Sequence, residues 1–501
     1  MKLPARPRRR PRNRNRSGLY IFAYGHHDEN VNEGKPMRAQ ASILVGLLWC
    51  LALLSIIVIG LLHTARTDLL VGKHHGDRIQ AHYLALAGIE KAKALLYQSA
   101  RERTRTGQSH RGDLYSAPEQ FRDVSLGRGQ FRVFLRGRED EGGGILYGVS
   151  DEESRLNVNV ASLEELLKIE GMTPDVAASI VDWRDEDNVV TPGGAEAEYY
   201  TSLQPPYVPR NGPLQTVREL LMVRGVSREL LLGSDVHQNG GLDVAGENGP
   251  ASAAGTADTG WAGLLTVDSS VDNVNAAGED RVNIQNADER ALSGVRGITS
   301  EIARAIVAYR GRNRFESIAE LLDVTAAQNP NQPGSSANPA GPGVAVAGQT
   351  PSPAPQSAGV PNPPGSNPSG PKVVSQDLLM DIADDLTVQS NESQPGLVNI
   401  NTAGLEALTC LPGLTRQLAQ AIISYSQSSG FFPNTAHLLK VQGMRRDNFK
   451  QVAPRVTARS ETFRILSEGR VTSSGARQRI QEIVHIGLHS LTTLSYREDD
   501  L

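Results

Sequence analysis

The sequence predicts an α+β protein with a long N-terminal helix, one antiparallel sheet built from strands at both ends of the bulk of the chain, and a large α-helical insertion between those ends. Three observations predict this. An uncharged apolar run over 39–62 continues into a helical pattern without a proline. Alternating strand patterns occupy 127–149 and 462–488. Between them, one hairpin pattern recurs three times.

The apolar run is about as long as a helix needs to be to cross a bilayer. Arg8, Arg9, Arg10, Arg12, Arg14, Arg16, Lys35 and Arg38 precede it. Excess Lys and Arg mark the cytoplasmic side, so the expectation is an N-terminus inside and a translocated bulk. A cleaved signal would have a shorter apolar core and a small-x-small site, which 61–67 lacks. Residues 1–38 then read as a disordered basic cytoplasmic leader, 39–62 as a transmembrane helix and 63–150 as the continuing helix with the first strands.

With 501 residues, the chain exceeds one typical core, so two or three domains are expected. A net charge of −4 argues against a general polyanion binder. Cys50 lies in the apolar run and Cys410 in a soluble helix, so the two cysteines are not expected to pair, and no Cys/His zinc spacing occurs. The sequence has no nucleophile elbow, phosphate loop or dinucleotide fingerprint. An enzyme is therefore not expected.

The first repeat opens at Leu156-Asn157-Val158-Asn159, the second at Val282-Asn283-Ile284-Gln285 and the third at Val398-Asn399-Ile400-Asn401. Each leads into a short helix, a tight turn and an alanine-rich helix. The turns carry Gly171, Gly297 and Gly413, and a half-copy carries Gly225. Glycine permits the left-handed backbone such turns need. Thr173, Thr299, Thr415 and Ser227 stand where they can cap the second helix, and the opening Asn or Thr can cap the first. This is the pattern of helix-hairpin-helix units. The expected segments are 151–233 with the first unit, a loop at 234–280, the second unit at 281–325, a Pro/Gly/Ser-rich linker at 326–371, the third unit at 372–455, and C-terminal strands at 456–501.

Such hairpins either pack against protein or bind DNA phosphates through turn amides. DNA binding favours basic flanks. The first unit is acidic, with Glu164, Glu165, Glu170, Asp175, Asp182, Asp185, Glu186 and Asp187, and should repel phosphate. The second carries Arg290, Arg296, Arg304, Arg310, Arg312 and Arg314, balanced by nearby acids. Protein packing is the expected role. A membrane-anchored DNA-binding uptake receptor is the alternative.

The stretch 182–188, with Glu196 and Glu198 after it, crowds oxygen ligands at a helix end. That suits Ca²⁺, although the spacing is not that of an EF-hand. A solvated acidic loop is the other reading of the same residues.

Taken together, the residues resemble the minor pseudopilin K family of type II secretion systems. The resemblance covers 41–67 and is strongest over 147–226, through Asp151-Glu152-Glu153-Ser154-Arg155, Asp182-Trp183-Arg184-Asp185, Gly194-Ala195-Glu196, Tyr199-Tyr200 and Val217-Arg218-Glu219-Leu220. It implies a pilin-like fold in which the long helix packs on the sheet. It implies a single-pass protein of the bacterial inner membrane whose periplasmic bulk lies at the tip of a pseudopilus. Minor pseudopilins I and J, other pseudopilins and the prepilin peptidase are the implied partners. Calcium is the implied cofactor, carried over to Asp182, Asp185, Asp187 and Glu196.

Two departures stand out. Ala41 precedes Ser42 where a pilin leader ends in Gly at its processing site. The second and third units and the linker exceed the family core, and are open to enlarging the tip or to contact with the secretin or a secreted cargo.

Overall fold

The computed structural model describes residues 38–107, 114–137, 144–233, 260–326, 371–488 and 490–499. The expected leader, apart from Arg38, and the expected linker, apart from its two end residues, lie outside these. The chain divides into two units after Gly72. Helix α1 spans Arg38–Thr106. In the first unit its large apolar side chains are exposed, from Ile43 through Trp49 and Ile56 to Val71. From Ile43 it is long and apolar enough to cross a membrane, with a mean hydropathy of 2.8 in its most apolar stretch. Its hydroxyls are satisfied within the helix: Ser55 and Thr64 donate to the carbonyls of Leu51 and Gly60, at 2.7 and 3.0 Å. No hydroxyl donor of these two residues is left for lipid to desolvate.

In the second unit α1 buries Ala81, Leu84, Ala85, Ile89, Ala92 and Leu96. Their three- and four-residue spacing places them on one helix face. A one-turn helix α2 (Pro118–Phe121) follows, then strands β1 (Val124–Leu126), β2 (Gly129–Val133), β3 (Leu135–Arg136), β4 (Ile145–Leu146) and β5 (Ser150–Asp151).

Three repeat units come next. The first comprises β6 (Leu156–Asn157), α3 (Leu163–Leu167), α4 (Pro174–Arg184), α5 (Ala197–Thr201), a 3-10 turn at Val217–Met222, α6 (Arg228–Leu232), α7 (Gly260–Leu264) and β7 (Leu265–Thr266). Strand β8 (Ser270–Asp272) leads to the second, which has β9 (Val282–Asn283), α8 (Glu289–Gly294), α9 (Ser300–Arg310), a 3-10 turn at Ile318–Asp323, α10 (Gln376–Ile382) and β10 (Leu386–Thr387). Strand β11 (Ser393–Pro395) pairs back on β8. The third has β12 (Val398–Asn399), α11 (Leu405–Cys410), α12 (Arg416–Ser429), a 3-10 turn at Thr435–Lys440, α13 (Arg446–Val452) and β13 (Val456–Thr457). In every unit the opening and closing strands pair in parallel: β6 with β7, β9 with β10, β12 with β13. The buried side chains of all three form one apolar core.

This closure corrects two sequence boundaries. The helix at 376–382, assigned to the third unit from sequence, completes the second. Residues 324 and 373 hydrogen-bond across the ends of the linker segment, and Thr325 bridges Lys372. The expected loop at 234–280 contains α7, β7 and β8 among its described residues. The opening asparagines also do not cap a helix. Asn157, Asn283 and Asn399 each accept from the amide two residues on, at 2.8–2.9 Å, which forms an Asx turn. Ser162 and Asp288 cap the first helices of units one and two, and Gly404 stands at that position in unit three. Thr173, Ser227, Thr299 and Thr415 cap the second helices.

The chain ends with β14 (Thr462–Val471), β15 (Arg477–Ile486) and β16 (Leu491–Asp499). The sheet order is β1-β2-β14-β15-β16, with β5 also on β14, and every pairing is antiparallel. Strands from before and after the repeats thus share one sheet. Its apolar face, with Phe131, Val133, Ile465, Ile480 and Val484, forms a core with the buried face of α1. Gly88 and Gly469 permit the close approach. A Cβ on Gly88 would collide with Ser467 and lie 2.9 Å from Phe131, and one on Gly469 would run into the Ala81 carbonyl.

Candidate metal centre

Helix α4 begins with the Thr173 cap and Pro174, and ends by bringing Asp182 and Asp185 to its C-terminal turn. Asp182 is fully buried. Its carboxylate accepts the Thr191 amide at 3.1 Å, which draws the following loop over the helix end. Gly194 lets the loop close, since a Cβ there would collide with Asp182 Oδ2. Arg224 donates to the Gly194 carbonyl at 3.0 Å and lies over the Tyr199 ring at 5.1 Å. The loop therefore delivers Glu196 to α4. Carboxylate oxygens of Asp182, Asp185 and Glu196 lie within 4.8 Å of one another.

Three carboxylates this close have too few donors. Both oxygens of Glu196, and Oδ1 of Asp185, are buried without a hydrogen-bond partner among the described residues. Burial, then the charges of Asp182 and Asp185, raise the Glu196 pKa. Burial, then Asp187 and Asp182, raise that of Asp185. Orphaned buried oxygens facing one another are what an oxygen-liganded cation would satisfy, so the residues fit Ca²⁺. Asp187 stands apart from this cluster. It is exposed, and its Oδ1 accepts the Val189 amide at 2.7 Å. Trp183 packs edge-on against Tyr200 at 5.0 Å and donates to Glu219 at 3.1 Å, which fixes the end of α4.

Gly171, Gly225, Gly297 and Gly413 have φ of 76, 81, 97 and 71°. A Cβ at Gly225 would lie 2.7 Å from Val176, and one at Gly297 3.0 Å from Leu378. Each of these two turns thus packs on a helix of the other hairpin in its unit. Ala41 and Ser42 fall inside α1.

Two further buried polar groups lie outside the residues that the sequence reading names as sites. Asp151, Glu152 and Glu153 form the joint between the sheet and the repeats. Asp151 accepts from Asn399, Thr402 and Ser460, Glu152 from Thr266 and Arg464, and Glu153 from the amides of Ser270 and Thr462. Burial and the adjacent Asp151 charge raise the Glu153 pKa well above the ordinary range. For Glu152, Arg464 and Arg155 outweigh burial and lower it. The second group gathers Asp272, Glu461 and His485. Three distant segments supply it, and Arg103 pairs with Glu461 at 3.4 Å, which marks it as an ion-pair network. Tandem acids at 151–153 were a readable signal for the first group; the second had none.

Residues 146–233 match the family described as type II secretion system (T2SS), protein K. Residues 278–326 and 394–457 match the helix-hairpin-helix motif. A stretch of 73 residues is 36% identical to ComE operon protein 1 of Bacillus subtilis (strain 168), covering 15% of this chain and 36% of that protein. The chain thus spans little more than a third of that relative's length. Among solved structures, the crystal structure of the GspK-GspI-GspJ complex from the enterotoxigenic Escherichia coli type 2 secretion system aligns with a TM-score of 0.41 at 12% identity, over 84% of this chain and 98% of that one.

Proposed function

We propose, from the match of residues 146–233 to the type II secretion protein K family and of two further stretches to the helix-hairpin-helix motif, that the chain is a minor pseudopilin that caps a periplasmic pseudopilus and helps to initiate its assembly for protein export. The observation that supports this reading is the insertion of three repeat units, the first of which falls largely within the stretch that matches the protein K family, into a helix-on-sheet body between β5 and β14. Pilin-like subunits stack through their N-terminal helices. A subunit carrying three repeat units beside its sheet leaves no room for another above it, so it belongs at the tip.

In this reading α1 anchors the protein in the inner membrane with its N-terminus in the cytoplasm, and Ala41–Ser42 is the junction offered to the prepilin peptidase. The partners are minor pseudopilins I and J. The added units are available to the secretin or to a cargo protein. Asp182, Asp185 and Glu196 hold a calcium ion, with Asp187 at the rim. The ion neutralises their mutual repulsion and pins the 185–213 loop against α4.

A pull-down of the full chain in mild detergent against minor pseudopilins I and J, with calcium and then with chelator, tests this. A complex that weakens on chelation is the expected result. If no complex forms in either condition, the tip assignment fails, and binding to duplex DNA becomes the competing result to seek.

A further inference from the structure

The three repeat units share one joint and give it three different charges. In unit one, Arg184 at the end of α4 donates to the carbonyls of Val158 and Ala161. In unit two, Arg310 at the end of α9 donates to the corresponding carbonyls of Ile284 and Ala287, at 3.2 and 2.5 Å. The far side of the joint is equally matched. Asn159 holds Leu214, Gln285 holds Phe315, and Asn401 holds Phe432, each through the carbonyl of the held residue. Tyr309 stacks near Phe315 as Tyr425 does near Phe432, at 5.0 and 4.9 Å.

What lies between these matched ends differs. Unit one inserts 185–213, which brings Asp185 and Glu196 to Asp182 at the candidate metal centre. Unit three has the uncharged Ser426-Gln427-Ser428-Ser429-Gly430-Phe431. Unit two has only Gly311-Arg312-Asn313-Arg314. With Arg310, Gln285 and Ser390, this short loop lines an open cavity of about 400 Å³ with no acidic residue in its wall among the described residues. Arg312 and Arg314 are exposed, and their side chains make no ion pair or hydrogen bond among the described residues.

Solvated arginines are ordinary on a surface. Three around one concavity, with amide and hydroxyl side chains between them and no carboxylate, repel one another until an anion arrives. Guanidinium forks match the oxygens of a phosphate group two at a time. The cavity lies at the C-terminal end of α9, whereas the Gly297 turn precedes its N-terminal end, about 16 Å away for an eleven-residue helix. The site is therefore separate from the turn amides through which hairpins meet phosphates.

We propose that the joint of the second unit is a phosphate-class oxyanion site, with Arg312 and Arg314 pairing the charge and Arg310, Gln285, Asn313 and Ser390 forming its wall. Its openness suits a phosphate at the end of a larger molecule, and an anionic lipid headgroup and free phosphate share that chemistry.

The test titrates the full chain, in uncharged detergent, with inorganic phosphate and separately with a short-chain phosphatidylglycerol kept below its micelle concentration. The double variant Arg312→Gln/Arg314→Gln is compared with Arg290→Gln/Arg296→Gln, which removes the same charge beside the turn. Saturable binding that weakens at least about tenfold in the first variant and stays within about twofold in the second is expected, that factor being the scale of one charge-assisted contact. The tighter of the two probes identifies the source. Absence of saturable binding with both probes, or equal loss in both variants, would overturn the proposal.

Discussion

Arg455 grips Glu165 through two hydrogen bonds of 2.8 and 2.9 Å, joining the end of the third repeat unit to the first helix of the first unit. Glu165 is buried, and it also closes the α3 capping box by accepting the Ser162 amide at 2.7 Å. Removing the arginine strands a buried carboxylate. Arg455→Ala should cost about 3 kcal/mol, and Arg455→Lys should recover less than half, because a point charge cannot replace the fork. Urea unfolding of the full chain, followed by the fluorescence of Trp183 and Trp261 in the first unit, measures this. An unchanged midpoint would mean that the apolar core alone holds the units together.

The contact between α1 and the sheet makes a second prediction. A Cβ on Gly469 would meet the Ala81 carbonyl, and would lie 2.5 Å from the Ala85 nitrogen and 2.8 Å from Leu84 Cβ. These are backbone and stem atoms that cannot swing aside. Gly469→Ala should therefore destabilise the protein by at least about 2 kcal/mol through overpacking. At Gly294, in α8, an added Cβ would have no neighbour within 4 Å, so Gly294→Ala should be neutral or slightly stabilising. Matched unfolding midpoints for the two variants would show that the helix and sheet do not pack this tightly in solution.

Local chemistry was readable where one residue decides it, and unreadable where distant segments meet. The second-helix caps at Thr173, Ser227, Thr299 and Thr415 follow from a hydroxyl preceding a helical pattern. The opening asparagines misled, because a side chain able to cap a helix can equally bond its own backbone two residues on, and the strand pairing at 157, 283 and 399 selects that turn. The helix at 376–382 reads as part of the third unit in sequence because a long linker segment separates it from β9, the strand that its own closing strand, β10, pairs with. At the candidate metal centre, acidic density marks the stretch, but the loop closure through Gly194 decides that Glu196 joins Asp182 and Asp185 while Asp187 does not.

His485 predicts a pH dependence. Its Nε2 lies 3.5 Å from Asp272, and that partner raises its pKa above the ordinary histidine value, against the effect of burial. The same contact lowers the pKa of Asp272. A raised histidine pKa contributes stability that is fully present below about 6.5 and is lost as pH rises through the folded-state value. The lowered carboxylate contributes above about 4 and loses that contribution as pH falls. The pair should therefore stabilise most between these limits. The urea midpoint should decline from pH 6 to pH 8, and His485→Gln should flatten that decline. An equally steep decline in the variant would place the titrating group elsewhere.

The acidic centre predicts a metal dependence that stability can report without any assay of secretion. Calcium should bind the folded chain and not the unfolded one, because the loop from Thr191 to Glu196 must close before three carboxylates meet. Saturating calcium at about a hundred times its dissociation constant should then raise stability by about 2.7 kcal/mol, and chelation should remove that increment. Glu196→Gln keeps the shape but withdraws one ligand charge. It should abolish most of the calcium increment while leaving the calcium-free protein as stable or more so, since it removes one of three mutually repelling carboxylates, the one with both oxygens unpaired among the described residues. Asp187→Asn, at an exposed position outside the cluster, should change the increment far less. Unfolding curves with calcium and with chelator for the three proteins check this. Equal calcium responses in all three would locate the ion elsewhere.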